Sequence, residues 1–242
     1  MEVVAVIPAR YGSTRFPGKP LAAILGKPMI LWVLERAAMI RGVNRVVVAT
    51  DDERIAIAVT KAGGEAAMTP SSCPTGSDRV FAAIRDAECD LVINLQGDEP
   101  ALDPNAVSLL VSMMAENPSV LMGTLVSPLA SEREYANPNV VKAVLDDQNR
   151  CLYFSRSPIP NLRGCALSEA PVYRHAGVYG FRKDFLAKFT GWRQGRLERA
   201  ESLEQLRALE HGVQISAVVA DWPMVAVDTP LDIPIAEAAL RT

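Results

Sequence analysis

Histidine and cysteine are scarce in this chain of 242 residues, with two His (His175 and His211) and four Cys. Two imidazoles cannot build a His-rich metal centre. Cys73, Cys89, Cys151 and Cys165 contain no CxxC pair, and a chain of this length needs no disulfide staples. Reduced thiols and a cytoplasmic location are therefore expected. No apolar run reaches the roughly 20 residues of a membrane span, and the start MEVVAVIPAR lacks the basic region and cleavage site of a signal peptide. Also missing are GxxxxGK[ST] and any GxGxxG after a strand, so a P-loop kinase or a dinucleotide oxidoreductase loses its main support. Positive charge is in slight deficit, 25 Lys plus Arg against 28 Asp plus Glu, for a net charge of −3. Neither nucleic acid nor an anionic membrane is the expected partner, and any anion site must come from a local patch.

What is present is ordinary globular composition, 49% hydrophobic and 22% charged. It suits a single domain over residues 1–242 with a substantial core. Apolar runs bounded by turn residues predict buried strands at Val3–Pro8, Arg45–Thr50, Leu91–Leu95, Leu121–Val126 and Val140–Leu145. Helical patterns fall between them at Met29–Met39, Asp52–Ala62, Asp78–Ala87 and Asn105–Glu116. Asp51 and Asp52 offer capping oxygens, Gly63 and Gly64 a stop, and Pro104 a first-turn proline. This alternation predicts an α/β fold, a mostly parallel central sheet with helices on both faces. After about residue 150 the pattern changes. Cys151–Ser155, Val172–Gly180 and Val213–Val219 read as strands, and Pro158–Pro171 as an irregular or hairpin excursion. Leu197–His211 reads as one helix closed by Gly212, and Ile233–Leu240 as the last helix. The stretch of about 150–180 is expected to form an inserted β-rich lobe within the single domain.

The local patch comes directly after the first strand. Between Val3 and Leu34 there is no Asp or Glu, yet Arg10, Arg15, Lys19 and Lys27 are there. A loop at the carboxyl end of a parallel strand is where α/β sheets place ligands. Gly12 and Gly18 allow the backbone to approach a phosphate, Arg10 can fork onto it, and Lys19 supplies a point charge. The alternative is a solvated basic turn. In NLQGDEP, Asp98 stands just past a buried strand, and in VDTP, Asp228 stands after another apolar stretch. Each could hold Mg²⁺, and each could simply cap the next helix. Thr75–Arg79 opens a helix where Ser77 or Asp78 is the expected N-cap, and the same free amides could bind a polar ligand. Strand alternation puts His175, Gly177 and Tyr179 on one face, as a packed histidine beside an aromatic or as ligand contacts. Glu201 and Gln205, four apart, are expected to share a helix face, by default a solvated one.

Taken in order, PARYGSTRFPGKPL, ATDDERI, NLQGDEP, NPNVVKAVLD, LYFSRSPIP, RHAGVYGFR, ESLEQLRALEHG and VDTPLDI closely resemble the CMP-sugar synthetases, most of all the 3-deoxy-manno-octulosonate (Kdo) cytidylyltransferase branch. The resemblance covers nearly the whole chain. It implies the nucleotide-diphospho-sugar transferase type of fold and a Mg²⁺-dependent transfer of CMP from CTP to the anomeric 2-hydroxyl of Kdo, releasing pyrophosphate, for lipopolysaccharide biosynthesis. Another ulosonic acid, 8-amino-Kdo or a sialic-acid-like sugar, is the alternative. Carried onto matching positions, Arg10, Ser13 and Lys19 would hold the triphosphate, Gln96 with Thr75, Gly76, Ser77 and Arg79 the cytidine, and Ala9 would also bind the nucleotide. Asp98 and Asp228 would ligate Mg²⁺, with Lys19, Arg10 and Asp98 carrying the chemistry. Arg156, His175, Tyr179, Glu201 and Gln205 would face the sugar acid. The resemblance also implies a homodimer joined through the lobe. One departure stands in Cys73-Pro74-Thr75-Gly76-Ser77, where the family usually has His-x-Ser-Gly-Thr.

Overall fold

The computed structural model describes residues 1–12 and 16–241. In chain order these form β1 (Val3–Ala9), a 3-10 turn (Lys19–Leu21), β2 (Ala23–Ile24), β3 (Lys27–Pro28), α1 (Met29–Ala38), β4 (Arg45–Thr50), α2 (Glu53–Lys61), β5 (Glu65–Met68), α3 (Gly76–Ile84), β6 (Leu91–Asn94), α4 (Pro104–Glu116) and β7 (Met122–Pro128). Beyond these lie α5 (Glu132–Ala136), β8 (Lys142–Leu145), β9 (Cys151–Ser155), β10 (Val172–Arg182), α6 (Lys183–Gly191), α7 (Arg196–Glu201), α8 (Leu206–Glu210), β11 (Ile215–Val219) and α9 (Ile233–Leu240).

The sheet runs β11-β7-β10-β6-β1-β4-β5, with β8 and β9 attached beside β10. Pairings β6–β1–β4–β5 and β11–β7 are parallel, whereas β10 is antiparallel to both β6 and β7. β1 shows why its sequence is an unbroken apolar run. Val3, Ala5, Ile7 and Ala9 join the core on one face with Ile30 and Val33 of α1 and Leu110 of α4. Val4 and Val6 join the core on the other with Val80 of α3 and Phe185 and Phe189 of α6. A strand covered on both faces has no polar side to display. A smaller cluster packs Ile24 and Met29 against Val227 and against Ala236 of α9, which seats the last helix on the segment that follows the Lys19–Leu21 turn. No helix among the described residues is long and apolar enough to cross a membrane.

The mostly parallel α/β sheet agrees with the expectation, as do β4, β9 and α9 to the residue. Asp52 caps α2 and Asp103 caps α4, with Pro104 in its first turn. Three expectations need correction. Thr75, not Ser77 or Asp78, is the N-cap of α3; Asp78 returns its carboxylate to the Thr75 amide in a capping box. The helix expected over Leu197–His211 is two short helices, broken where Ser202 takes a left-handed φ of 53°. Glu201 and Gln205 therefore do not share a helix face. The break costs roughly 1–2 kcal/mol for a residue with a Cβ. It is held by the buried, two-pronged Arg207–Glu198 pair, Nε to Oε2 at 2.8 Å and Nη2 to Oε1 at 2.6 Å, which crosses from α8 to α7. Finally, α6 and the short strand β5 lie in stretches where no element was expected.

Candidate active site

β1 delivers Ala9 and Arg10 to the carboxyl edge of the sheet, beside β6. Gly18, at φ 71°, donates its amide to the Tyr11 carbonyl at 3.0 Å. A Cβ there would stand 3.1 Å from the Tyr11 ring, so this turn requires glycine. The turn aims Lys19 inward, and its Nζ lies 2.6 Å from Asp98 Oδ2 and 3.6 Å from Asp228 Oδ1. One ammonium thus sits between two carboxylates drawn from positions 98 and 228. The main chain ties the two segments as well, since the Val227 amide donates to the Asp98 carbonyl at 2.9 Å. The capping role that competed for Asp228 belongs to Thr229, the N-cap of the 3-10 turn Pro230–Asp232, where Asp232 Oδ2 accepts the amides of Asp228 and Thr229 at 3.0 and 2.7 Å. Gly97 lets this loop pass over β1, because a Cβ would meet the Pro8 carbonyl oxygen at 2.8 Å.

Around this triad opens a cleft of about 330 Å³, walled by Ala9, Arg10, Lys19, Thr75, Gly76, Arg79, Gln96, Asp98 and Asp228, with Cys73 and Gly97 among its other neighbours. The α3 N-terminus contributes free amides from the Gly76 end. Arg79 is a wall rather than a mobile cation, since its guanidinium donates to Thr69 Oγ1 at 2.6 Å and Asp51 Oδ2 at 2.9 Å.

A second cavity, of about 430 Å³, shares Gln96, Asp98 and Asp228 with the first and continues past β6. β10 makes this possible. Its Tyr179–Arg182 half pairs with β6, while its Val172–Ala176 half runs on beyond β6 beside β7 and β8. His175, Gly177 and Tyr179 therefore stand directly after the β6 loop, and Gln96 Nε2 donates to the Gly177 carbonyl at 2.5 Å. Burial takes the His175 imidazole down to about 3, so it is neutral across the physiological range. Burial raises Glu99 to about 7, with Asp98 adding repulsion and Arg174 opposing. Burial likewise raises Tyr179 well above its usual value. Gln205 is 3% exposed, and its Nε2 has no hydrogen-bond partner among the described residues. A fully buried Lys142 steadies the cavity wall by donating to the carbonyls of Asn137, Val140 and Arg156 at 2.8, 2.6 and 2.6 Å.

The cytidylyltransferase family model matches residues 4–215. The chain is 49% identical, over 100% of its length and 99% of the relative's, to the 3-deoxy-manno-octulosonate cytidylyltransferase of Syntrophotalea carbinolica. This chain belongs to the cytidylyltransferase family. It is also 48% identical, over 99% of each protein, to the 8-amino-3,8-dideoxy-manno-octulosonate cytidylyltransferase of Shewanella halifaxensis. Its structure matches that of a CMP:2-keto-3-deoxy-manno-octonic acid synthetase complexed with CTP at a TM-score of 0.92 and 43% identity, over 100% and 99% of the two chains.

In this cytidylyltransferase the residues singled out from sequence fall into three groups. Ala9, Arg10, Lys19, Thr75, Gly76, Arg79, Gln96, Asp98 and Asp228 line the first cleft, and His175, Tyr179 and Gln205 line the second cavity. Three others point elsewhere. Ser77 is turned through the protein, its hydroxyl donating to Glu204 Oε2 at 3.1 Å. Glu201 accepts from Ser155 Oγ at 2.6 Å and the Arg156 amide at 2.9 Å. Arg156 spreads its guanidinium over the carbonyls of Glu201, Pro138 and Ser202, so neither it nor Glu201 lines the cavity. Ser13 lies outside the described residues. Sequence reading gave no site role to Glu99 or Arg174, which line the second cavity, or a definite one to Glu204. Glu204 accepts from Thr75 Oγ1 at 2.8 Å as well as from Ser77, so it fastens the α3 cap to the wall of the second cavity. Burial raises its carboxyl, against the pull of Thr75, Arg207 and Ser77. The signal for it was weak: the Ser77 hydroxyl needs an acceptor, and Glu204 is the acid beside Gln205.

Proposed function

We propose that this cytidylyltransferase joins CMP from CTP to the anomeric 2-hydroxyl of Kdo and releases pyrophosphate, making the activated sugar used for lipopolysaccharide. The observation that carries the reading is the meeting of two cavities at Asp98 and Asp228, with Lys19 at their junction. One cavity has basic side chains and helix amides suited to a triphosphate. The other has a neutral imidazole, an amide and a phenol suited to a hydroxylated sugar. The names of the full-length relatives support the same pair of substrates.

Two carboxylates flanking an ammonium beside a phosphate cleft also fit Mg²⁺, which takes one or two carboxylates and completes its shell with phosphate oxygens and water. Among the described residues no three potential ligands cluster, so a divalent ion here would fill the rest of its shell with water and, when CTP is bound, with oxygens of the nucleotide. When bound, it would lower the pKa of the attacking hydroxyl and neutralise phosphate charge. The protein's part is positioning and charge. Lys19 moves from its carboxylate partners to the α- and β-phosphate oxygens, and Arg10 covers the outer phosphates. Gln96, held on the Gly177 carbonyl, fixes the nucleotide against the sugar side. Asp98 accepts the proton of the 2-hydroxyl. In-line attack then proceeds with little need for covalent help from the protein.

The 8-amino sugar is the second reading, favoured by the two carboxyl groups, Glu99 and Glu204, on the sugar-side wall. Pyrophosphate release from CTP with Kdo, 8-amino-Kdo and sialic acid separates the readings. Kdo is expected to give the highest kcat/KM; release with none of the three would overturn the assignment. A homodimer in the cytoplasm completes the proposal. The outer strand β9, paired among the described residues only with β8 and carrying exposed Leu152, supports the first, and four free thiols support the second.

A further inference from the structure

We infer that Thr124 is a positioning residue: it fixes which nitrogen of His175 carries the proton, so that the imidazole offers Nδ1 as an acceptor to a hydroxyl of the sugar. The inference deepens the Kdo reading and rests on it for the identity of that sugar.

The geometry begins with a mismatch between strands. Ala176 lies opposite Leu125, but the next register pair is Tyr179 opposite Thr124, so β10 carries two residues more than β7 at this point. An insertion of two preserves the alternation of faces, which keeps His175 and Tyr179 together on the cavity side. It also interrupts the β10–β7 ladder at this point. Thr124, 0% exposed inside β7, fills the gap with its hydroxyl. Its Oγ1 lies 2.8 Å from the Val178 carbonyl oxygen, 3.5 Å from that of Ala176 and 3.1 Å from His175 Nε2.

A hydroxyl has one proton. Two oxygens 2.8 Å apart need a proton between them, and Val178 has none to give, so the Thr124 proton points at Val178. The contact with His175 must then run the other way, with Nε2–H donating to Oγ1. A neutral imidazole protonated on Nε2 is an acceptor on Nδ1. The ring is neutral because burial takes it down to about 3. It is held edge-on against Phe154 at a centroid distance of 4.8 Å and beside Tyr179 at 5.4 Å. No described residue bonds to Nδ1, and His175 lines the second cavity, where a polyhydroxylated ligand brings O–H donors. The opposite tautomer would present N–H to the same hydroxyl, which would then have to accept instead of donate and find another acceptor for its own proton.

The test reads the tautomer directly. The protein has two histidines, so long-range ¹H–¹⁵N spectra of the free enzyme, assigned with the His211→Gln variant, resolve His175 without any ligand. The expected result is a single Nε2–H form at neutral pH. Thr124→Val keeps the shape and removes the hydroxyl. It should yield mixed tautomers and raise KM for Kdo about tenfold, the worth of one hydrogen bond, with KM for CTP unchanged. Thr124→Ser should restore both readouts. A wild-type Nδ1–H or charged His175 overturns the inference, as does Thr124→Val with a wild-type tautomer and KM. Should Thr124→Val fail to fold, the wild-type spectrum and the serine variant still decide it. Failure of the Kdo reading looks different, as absent turnover with the Nε2–H form intact.

Discussion

Replacing Lys19 with methionine separates a catalytic charge from a structural one. Lys19 Nζ stands 2.6 Å from Asp98 and 3.6 Å from Asp228, whose side chains are 29% and 47% exposed. At an effective dielectric constant near 20, a pair at about 4 Å is worth roughly 4 kcal/mol before costs. Water and side-chain entropy reduce partly exposed pairs to about 1 kcal/mol or less. Lys19→Met should therefore change folding stability by no more than about 1 kcal/mol. The transition state is another matter, because charge on the transferring phosphate meets this ammonium in a confined cleft. Losing such a contact costs roughly 10²–10³-fold in rate, about 2.7–4 kcal/mol. The substitution also takes the local charge of the triad from −1 to −2, so Mn²⁺ should bind the nucleotide-free variant more tightly than wild type. Pyrophosphate release under saturating CTP and Kdo, thermal unfolding, and Mn²⁺ titration measure the three effects. A variant within threefold of the wild-type rate, or one whose lost activity is matched by lost stability, refutes the reasoning.

Asp98→Asn and Asp228→Asn should each reduce turnover below one-hundredth of wild type while CTP still binds in the absence of divalent cations, as checked by calorimetry with EDTA. His175 has its pKa lowered from 6.5 to about 3, so between those values the unfolded chain binds a proton that the folded chain does not. Stability should fall as pH drops below 6.5, by about 2 kcal/mol at pH 5 from this group, and His175→Gln should lose less between pH 7 and 5 in urea titrations. Arg207→Leu leaves Glu198 buried without its cation; a loss of about 3–5 kcal/mol is expected from the urea midpoint, together with a raised KM for Kdo as the Ser202 break relaxes.

The legibility of the molecule in its sequence depends on the range of the forces involved. β1, β4 and β6 were readable because strands buried on both faces leave uninterrupted Val, Ile and Leu runs, and Asp52 and Pro104 mark helix starts through bonds made within a few residues. The acid-free turn, Asp98 and Asp228 were readable as separate candidates, and the structure brings Lys19 of that turn beside both carboxylates. β5 was not, because its strand character comes from pairing with β4 rather than from Glu65-Ala66-Ala67-Met68 itself. The break at Ser202 was also hidden. Leu197–His211 is a competent helical sequence, and only the tie of Arg207 to Glu198 and of Glu201 to Ser155 and Arg156 makes two helices the better arrangement.

By itself, then, the order of side chains settled the class of fold and put a basic, acid-free turn at the end of the first strand, since both depend on neighbours in the chain. Which polar groups meet was settled by tertiary structure alone. Glu204 rather than Glu201 reaches the α3 cap, the Arg156 guanidinium is taken up by carbonyls, and Thr124 sits under His175. Each of these contacts depends on strand register and on one left-handed residue, and those are chosen by packing across the sheet, which no local pattern encodes.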